Sequence, residues 1–288
     1  MDDDAWRALL HQYVEQGVHG VLVNGSTGEW TSQSGAERRH LAEVAVDAVG
    51  GRIPVVVGVS AFTAAEASGL ARHAADAGAN GVLATPPPYV HPNDREILAF
   101  YAELCEASQA PVMVYNWPRG VAVDIAPALA ERLADLEPVV AIKESTGDWM
   151  KALALHEAVV DRVRVFGTFI SRRGLAVLRE LGGDGNIDGG GLGALAGAGF
   201  YEAYWRADLD AARAFADRYQ ALQRSIVRED FSGRFGTPPA QLKAAMRMLG
   251  QPGGYVRSPL LEVDGAEELA GLRRALEAAG LLEAETPA

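Results

Sequence analysis

Short apolar runs rich in β-branched residues recur along the 288-residue chain at intervals of roughly 30 residues, and a stretch with helical spacing follows almost every run. The runs are apolar throughout rather than alternating, the pattern of strands covered on both faces. With 49% hydrophobic residues, the chain can bury a large core. These observations predict an α/β fold, a (β/α)8 TIM barrel of parallel strands with a C-terminal helical extension.

The chain opens on a helical stretch, residues 5–16, where a barrel in this phase supplies its first strand. Strand-like runs then stand at 21–24, 54–58, 81–85, 112–115 and 139–143, with helical segments at 36–49, 64–77, 94–107 and 149–160. Weaker strands follow at 162–167 and 185–188. The series is one short of a closed barrel, so the first strand reads as absent from the chain. An open barrel of this kind exposes two sheet edges and needs another element to cover them. Beyond Gly193 only helical runs remain, near 194–205, 209–228, 240–249 and 266–279. Residues 1–193 are read as the barrel and 194–288 as helices packed on it.

The formal net charge of −12 repels polyanions, so nucleic acid is not an expected partner. No apolar run is long enough for a membrane span. Met1-Asp2-Asp3-Asp4 offers neither the basic residues nor the apolar run of a secretion signal, so a cytoplasmic protein is expected. Cys105 falls in an amphipathic helical pattern and reads as a buried thiol.

Barrel enzymes carry their chemistry where strands end and loops begin. Lys143 closes the apolar run at 139–142, whereas the remaining lysines, Lys151 and Lys243, lie in helical segments. Desolvation at a barrel mouth favours the neutral amine, which attacks a carbonyl to give an imine; the competing reading is an ion pair with Glu144. After the first strand-like run comes Gly25-Ser26-Thr27-Gly28-Glu29, where glycines turn backbone N–H groups toward an anion and hydroxyls add donors. An ordinary turn with Glu29 in the first turn of a helix explains the same residues. Tyr115 ends one strand and Tyr89 sits in the rigid loop Thr85-Pro86-Pro87-Pro88-Tyr89. Each is either a packing residue or, in a relay with the Ser26 or Thr27 hydroxyl, a proton carrier.

Gly25-Ser26-Thr27-Gly28-Glu29, Tyr115-Asn116-Trp117-Pro118 and Ile142-Lys143-Glu144-Ser145, in this order and each at a strand end, resemble the dihydrodipicolinate synthase and N-acetylneuraminate lyase family of class I aldolases. The resemblance covers residues 5–282. It implies that Lys143 forms an imine with pyruvate or a related 2-oxo acid, with no separate cofactor and no metal. By the same resemblance Tyr115 transfers protons, Ser26 and Thr27 bind the substrate carboxylate and join the relay, and Tyr89 reaches a neighbouring subunit's site. The substrate-binding set extends to Gly25, Gly28, Ser145, Gly167 and Ile187. The resemblance further implies a homo-oligomer, a homotetramer built as a dimer of dimers.

The chain also departs from the pattern. Where dihydrodipicolinate synthases carry an arginine two residues after the motif's proline, Gly120 stands here, with Arg119 just before it. The Asp-Glu pair of sialic acid lyases is replaced by Gly167-Thr168-Phe169-Ile170. Gly189-Gly190-Gly191 is expected to widen the pocket, and Asp188 adds a carboxylate suited to a bulky, polyhydroxylated or cationic group.

Other signals are weaker. Residues 184–189 copy the first half of a calcium loop, but its twelfth position is Leu195 in place of a bidentate glutamate. His11, His19, His40, His73, His91 and His156 are scattered, so no catalytic metal is expected. The glycines of 182–193 could cradle a phosphate, yet no Lys or Arg lies near them past Gly185. The leading reading is a lyase that cleaves or joins a carbon–carbon bond through the Lys143 imine. The alternatives are a dehydratase of 2-keto-3-deoxy sugar acids and a non-catalytic 2-oxo acid binder.

Overall fold

The computed structural model describes residues 1–283 apart from the Leu195 side chain; positions 284–288 of the expected 194–288 segment lie outside the described residues. Helix α1 (Asp3–Glu15) opens the chain, and the strands β1 (Val21–Val23), β2 (Val55–Gly58), β3 (Gly81–Ala84), β4 (Val112–Asn116), β5 (Val139–Glu144) and β6 (Arg164–Phe166) follow. Between them run α2 (Gly35–Val49), α3 (Ala64–Asp76), α4 (Asp94–Ala107), the short α5 (Pro118–Val121), α6 (Pro127–Ala134) and α7 (Trp149–Val159). After β6 come α8 (Arg172–Glu180), α9 (Gly190–Trp205), α10 (Leu209–Ile226), α11 (Pro238–Met248) and α12 (Ala266–Ala278).

Local signals start the helices where they are needed. Ser34 with Glu37 and Asn93 with Glu96 form reciprocal capping boxes at α2 and α4, each satisfying two otherwise orphaned backbone donors. Thr63, Asp148 and Ser171 cap α3, α7 and α8. Pro127 and Pro238 occupy first-turn positions of α6 and α11, where a missing N–H costs nothing.

The strands pair in parallel in sequence order, β1 to β6, and the sheet curls so that its two faces bury different cores. The helix-facing side carries the larger core, including Val57, Val82, Val112, Val114 and Ile142. On the inner side Leu83, Met113, Tyr115 and Ala141 cluster with Leu22, Val56, Phe166 and Ile187. Between β4 and β5 the register slips: Val112 pairs with Val139 but Met113 pairs with Ala141. The extra residue, Val140, is turned outward and 44% exposed. The bulge puts Tyr115 opposite Lys143 and Asn116 opposite Glu144.

Two expectations change. The run at 185–188 forms one parallel bridge, Phe166 to Gly185, and no strand. Asn186 instead turns its side-chain oxygen to the backbone N–H of Phe169 at 3.0 Å. Helix α9 begins at Gly190, ahead of the expected boundary at 194. Its Phe200 and Tyr201, with Ala212, Ala216 and Tyr219 of α10, belong to the large core. A separate core joins Leu222 and Ile226 to α11 and α12 through Ala240, Ala244, Leu272 and Leu276.

Among the described residues no strand lies between β1 and the 185–188 segment. The segment before β1 meets α9: His19 sits 3.2 Å from Glu202 and packs its ring 4.7 Å from that of Trp205. No helix of the described residues is long and apolar enough to cross a membrane.

Candidate active site

At the C-terminal ends of the strands a cavity of about 1650 Å3 opens, bordered by Lys143, Tyr115, Gly25, Ser26, Thr27, Gly28, Ser145, Gly167 and Ile187. Trp6 and Leu9 of α1 and Tyr201 and Trp205 of α9 border the same cavity. Residues from five separate stretches of sequence thus meet in one space, and most of them are residues singled out above.

Lys143 points inward from β5, and its Nζ stands 4.2 Å from the Tyr115 ring centroid. Desolvation pushes the ammonium down to about 8, opposed by the Asp188 carboxylate, which pulls it up. Glu144 does not pair with it. Strand alternation sends that side chain to the outer face, where it accepts from Asn116 Nδ2 at 2.7 Å and from the Thr146 N–H at 2.5 Å. Burial raises Glu144 to about 7. Asn116 also donates to Asp124 at 3.0 Å and accepts from the Ile125 N–H at 3.0 Å, locking the end of β4.

Burial pushes the Tyr115 phenol up to about 12, while hydrogen bonding with the Ser145 and Ser26 hydroxyls pulls it down. Of the hydroxyls in the Gly-rich turn, it is that of Ser26 that acts on the Tyr115 phenol. Trp117 stacks nearly parallel to Tyr115, centroids 5.9 Å apart.

The turn itself is held from several sides. Asn24 adopts φ 55°, a left-handed conformation that Asn tolerates, and its Nδ2 donates to Arg38 O at 2.8 Å. The buried Arg38 donates to Gly58 O at 3.0 Å and lies over the Trp30 ring. Glu29, also left-handed at φ 57°, precedes a single 3-10 turn (Trp30–Ser32) in place of the expected helix start. Its buried carboxylate is paired with Lys243 of α11, and Lys243 Nζ also donates to Tyr255 O at 2.7 Å.

The three glycines after Asp188 stand close to their neighbours, and Gly189 and Gly190 border the cavity. A Cβ on Gly189 would lie 3.0 Å from Thr27 Cγ2, and one on Gly191 would collide with the Gln251 side chain at 1.9 Å. The missing side chains allow close packing of α9 against the substrate-side turn. Gly120 has a similar explanation. A Cβ there would meet the Trp117 ring at 2.0 Å, so Trp117 and a side chain at 120 exclude one another. Arg119 borders the cavity, donates to Asp230 O at 3.1 Å and lies 3.8 Å over the Phe231 ring.

Tyr89 stands apart. It is 86% exposed, adopts φ 77° and does not border the cavity. Trp117, Tyr219, Phe231 and Lys243 are cavity residues that sequence reading did not select. Trp117 sat inside a quoted motif and was open to notice. Tyr219 of α10, Lys243 of α11 and Phe231 of the loop between them carry no local signal, since only long-range packing brings them here.

Residues 1–279 match the model of the dihydrodipicolinate synthetase family. The chain belongs to this family. A 4-hydroxy-tetrahydrodipicolinate synthase of Acidothermus cellulolyticus is 33% identical over 287 residues, covering 98% of this chain and 88% of its own. An uncharacterized DapA-like lyase of Rhizobium meliloti is 33% identical over 273 residues, covering 92% of this chain and 86% of its own. Among solved structures, the family member YagE of E. coli K12, in complex with pyruvate, has a TM-score of 0.89 at 25% identity and covers 98% of this chain and 94% of its own. The dihydrodipicolinate synthase of Acinetobacter baumannii complexed with pyruvate has a TM-score of 0.87 at 26% identity with the same coverage. The six-stranded parallel sheet is thus part of the α/β barrel architecture of the family.

Proposed function

We propose that this protein is a class I aldolase-type lyase that forms an imine between Lys143 and pyruvate or a related 2-oxo acid and then joins or breaks a carbon–carbon bond. The observation that carries the reading is Lys143 itself, a desolvated amine held down to about 8 in one cavity with Tyr115 and the 25–28 turn.

The chemistry follows from these groups. Neutral Lys143 adds to the 2-oxo carbon, the carbonyl oxygen takes up protons and leaves as water, and the iminium results. Tyr115, linked to Ser26 and Ser145, passes protons to and from that oxygen. Loss of a C3 proton gives an enamine, whose carbon adds to an aldehyde; hydrolysis of the new iminium returns the free lysine. Retro-aldol cleavage is the same path reversed. The substrate carboxylate lies on the turn of Gly25, Ser26, Thr27 and Gly28, with hydroxyl and backbone donors, and Gly167 and Ile187 complete the wall. Lysine supplies the electron sink, so no separate cofactor is required.

Named relatives act as support: two pyruvate-bound structures belong to the same family. Neither dehydration of a 2-keto-3-deoxy sugar acid nor binding without turnover draws support from them. The barrel is read as (β/α)8, with the opening between β1 and the 185–188 segment as the place of the first strand and the C-terminal helices as its extension. Tyr89 and Val90, 86% and 64% exposed, support a homo-oligomer in which Tyr89 serves a second subunit, although one structural neighbour is described as a monomeric dihydrodipicolinate synthase variant. The cytoplasm is the proposed location.

Incubation with pyruvate and borohydride, followed by digestion and mass spectrometry, tests the mechanism. A reduced adduct on Lys143, absent in Lys143→Ala, is expected. A folded protein that traps none of a panel of 2-oxo acids overturns the reading.

A further inference from the structure

Glu144 is a buried acid that the proposed chemistry leaves unused. It directly follows the imine lysine and is 5% exposed, and Asn116, its cross-strand partner, is 1% exposed. Glu144 Oε2 accepts from Asn116 Nδ2 at 2.7 Å, and Oε1 accepts from the Thr146 N–H at 2.5 Å. Asn116 is itself fixed: Nδ2 also donates to Asp124, Oδ1 accepts from the Ile125 N–H, and the backbone O accepts from the Ser145 N–H at 2.9 Å. Lys151 pairs with Asp124 at 2.8 Å.

Asn116 and Glu144 are the last residues of β4 and β5, and the pair just before them is Tyr115 and Lys143. A sheet frays where its ladder stops, because no further pair restrains the terminal residues. Here a side-chain bond closes the ladder on the outer face, while the reacting groups stand one residue back on the inner face. The groups that meet the carboxylate are N–H donors, which suits its ionised form, an acceptor only. Burial raises Glu144 to about 7, so it carries its charge at the pH where Lys143, lowered to about 8, becomes neutral.

Resting on the Lys143 imine reading, we propose that Glu144 is a positioning residue: its bond to Asn116 holds the ends of β4 and β5 together, and so keeps Lys143 screened from water and seated against Tyr115. Without that bond the strand ends part, water reaches Nζ, and amine and phenol lose their alignment. The charge of Glu144 by itself has the opposite consequence. Removing a nearby carboxylate lowers the pKa of an ammonium, whereas admitting water raises it. The direction of the shift therefore separates the two effects.

The test measures borohydride trapping of pyruvate from pH 7 to 10, and steady-state exchange of the pyruvate methyl protons with deuterium, in the wild type, Glu144→Gln and Asn116→Ser. Glutamine keeps the size of the side chain but sets an amide donor against either Asn116 Nδ2 or the Thr146 N–H. The trapping inflection is expected to move up by about half a pH unit or more in Glu144→Gln. The exchange kcat falls about tenfold while the pyruvate KM changes less than about threefold, because alignment is lost and the carboxylate-binding turn is untouched. Asn116→Ser moves the inflection in the same direction, and the double variant goes no further than the more affected single, since both break one bond. Asn93→Ala, which removes the α4 cap, lowers the unfolding midpoint and leaves the inflection in place, so lost stability alone does not produce the shift. In either site variant, an inflection that stays or falls with the protein folded overturns this proposal and leaves the imine reading standing. Absence of the pyruvate adduct in the wild type overturns both.

Discussion

At Lys143 two influences oppose each other. Burial withdraws water from the ammonium and lowers its pKa to about 8, and the Asp188 carboxylate limits the fall. Below that value most of the lysine is protonated and cannot attack a carbonyl; above it the neutral amine predominates. The pyruvate-trapping rate is therefore expected to rise about tenfold per pH unit up to roughly pH 8 and then level off, well before the ordinary lysine value near 10.4. Asp188→Asn removes the charge that favours the ammonium, so its inflection falls to lower pH. Stopped-flow trapping across pH 6 to 10 checks both; an inflection near 10 in the wild type contradicts the desolvated environment. Tyr115 and Lys143 face each other because a bulge fixes their register, and Glu144, one residue on, faces the opposite way by the period of a strand.

At the scale of elements, α11 is tied to the substrate-side turn by the Glu29–Lys243 pair. Glu29 is buried, and its Oε1 has no hydrogen-bond partner. Removing the lysine leaves this carboxylate uncompensated, which costs on the order of 3 kcal/mol for a buried pair. Lys243→Met is accordingly expected to lower the chemical-denaturation midpoint and raise the KM for pyruvate, because the Glu29 N–H also donates to Ser26 O at 3.1 Å. Adding Glu29→Gln to Lys243→Met recovers most of the stability. Equal stability of Lys243→Met and the wild type contradicts a role for the pair.

For the whole molecule, the proposed homo-oligomer places the exposed Tyr89 and Val90 on the surface between copies. Phe62, on the loop after the adjacent strand β2, is also exposed, at 58%, with its ring 6.1 Å from that of Trp30. If Tyr89 serves the site of a neighbour, Tyr89→Ala dissociates the assembly, as sedimentation velocity detects, and turnover falls with it. A wild type that sediments as a monomer with full activity rules out this contribution. The cavity is bordered by residues of α1 and α9 as well as by the strand ends, and His19, before β1, contacts Glu202 and Trp205 of α9.

The sequence alone determined the repeating strand-helix order, the places of β1 to β6 within a residue or two, and Lys143, Tyr115 and the 25–28 turn as one site. These are local facts: apolar runs, caps and residues at strand ends announce themselves over a few positions. Tertiary structure alone decided that 185–188 makes a single bridge, that Gly189 lies against Thr27, and that Glu144 turns away from Lys143. It also decided that Tyr219 of α10, Lys243 of α11 and Phe231 of the loop between them reach the cavity from far along the chain. A residue's own neighbours in sequence set its backbone preference, whereas the volume beside it and the charges around it come from elements folded in from elsewhere.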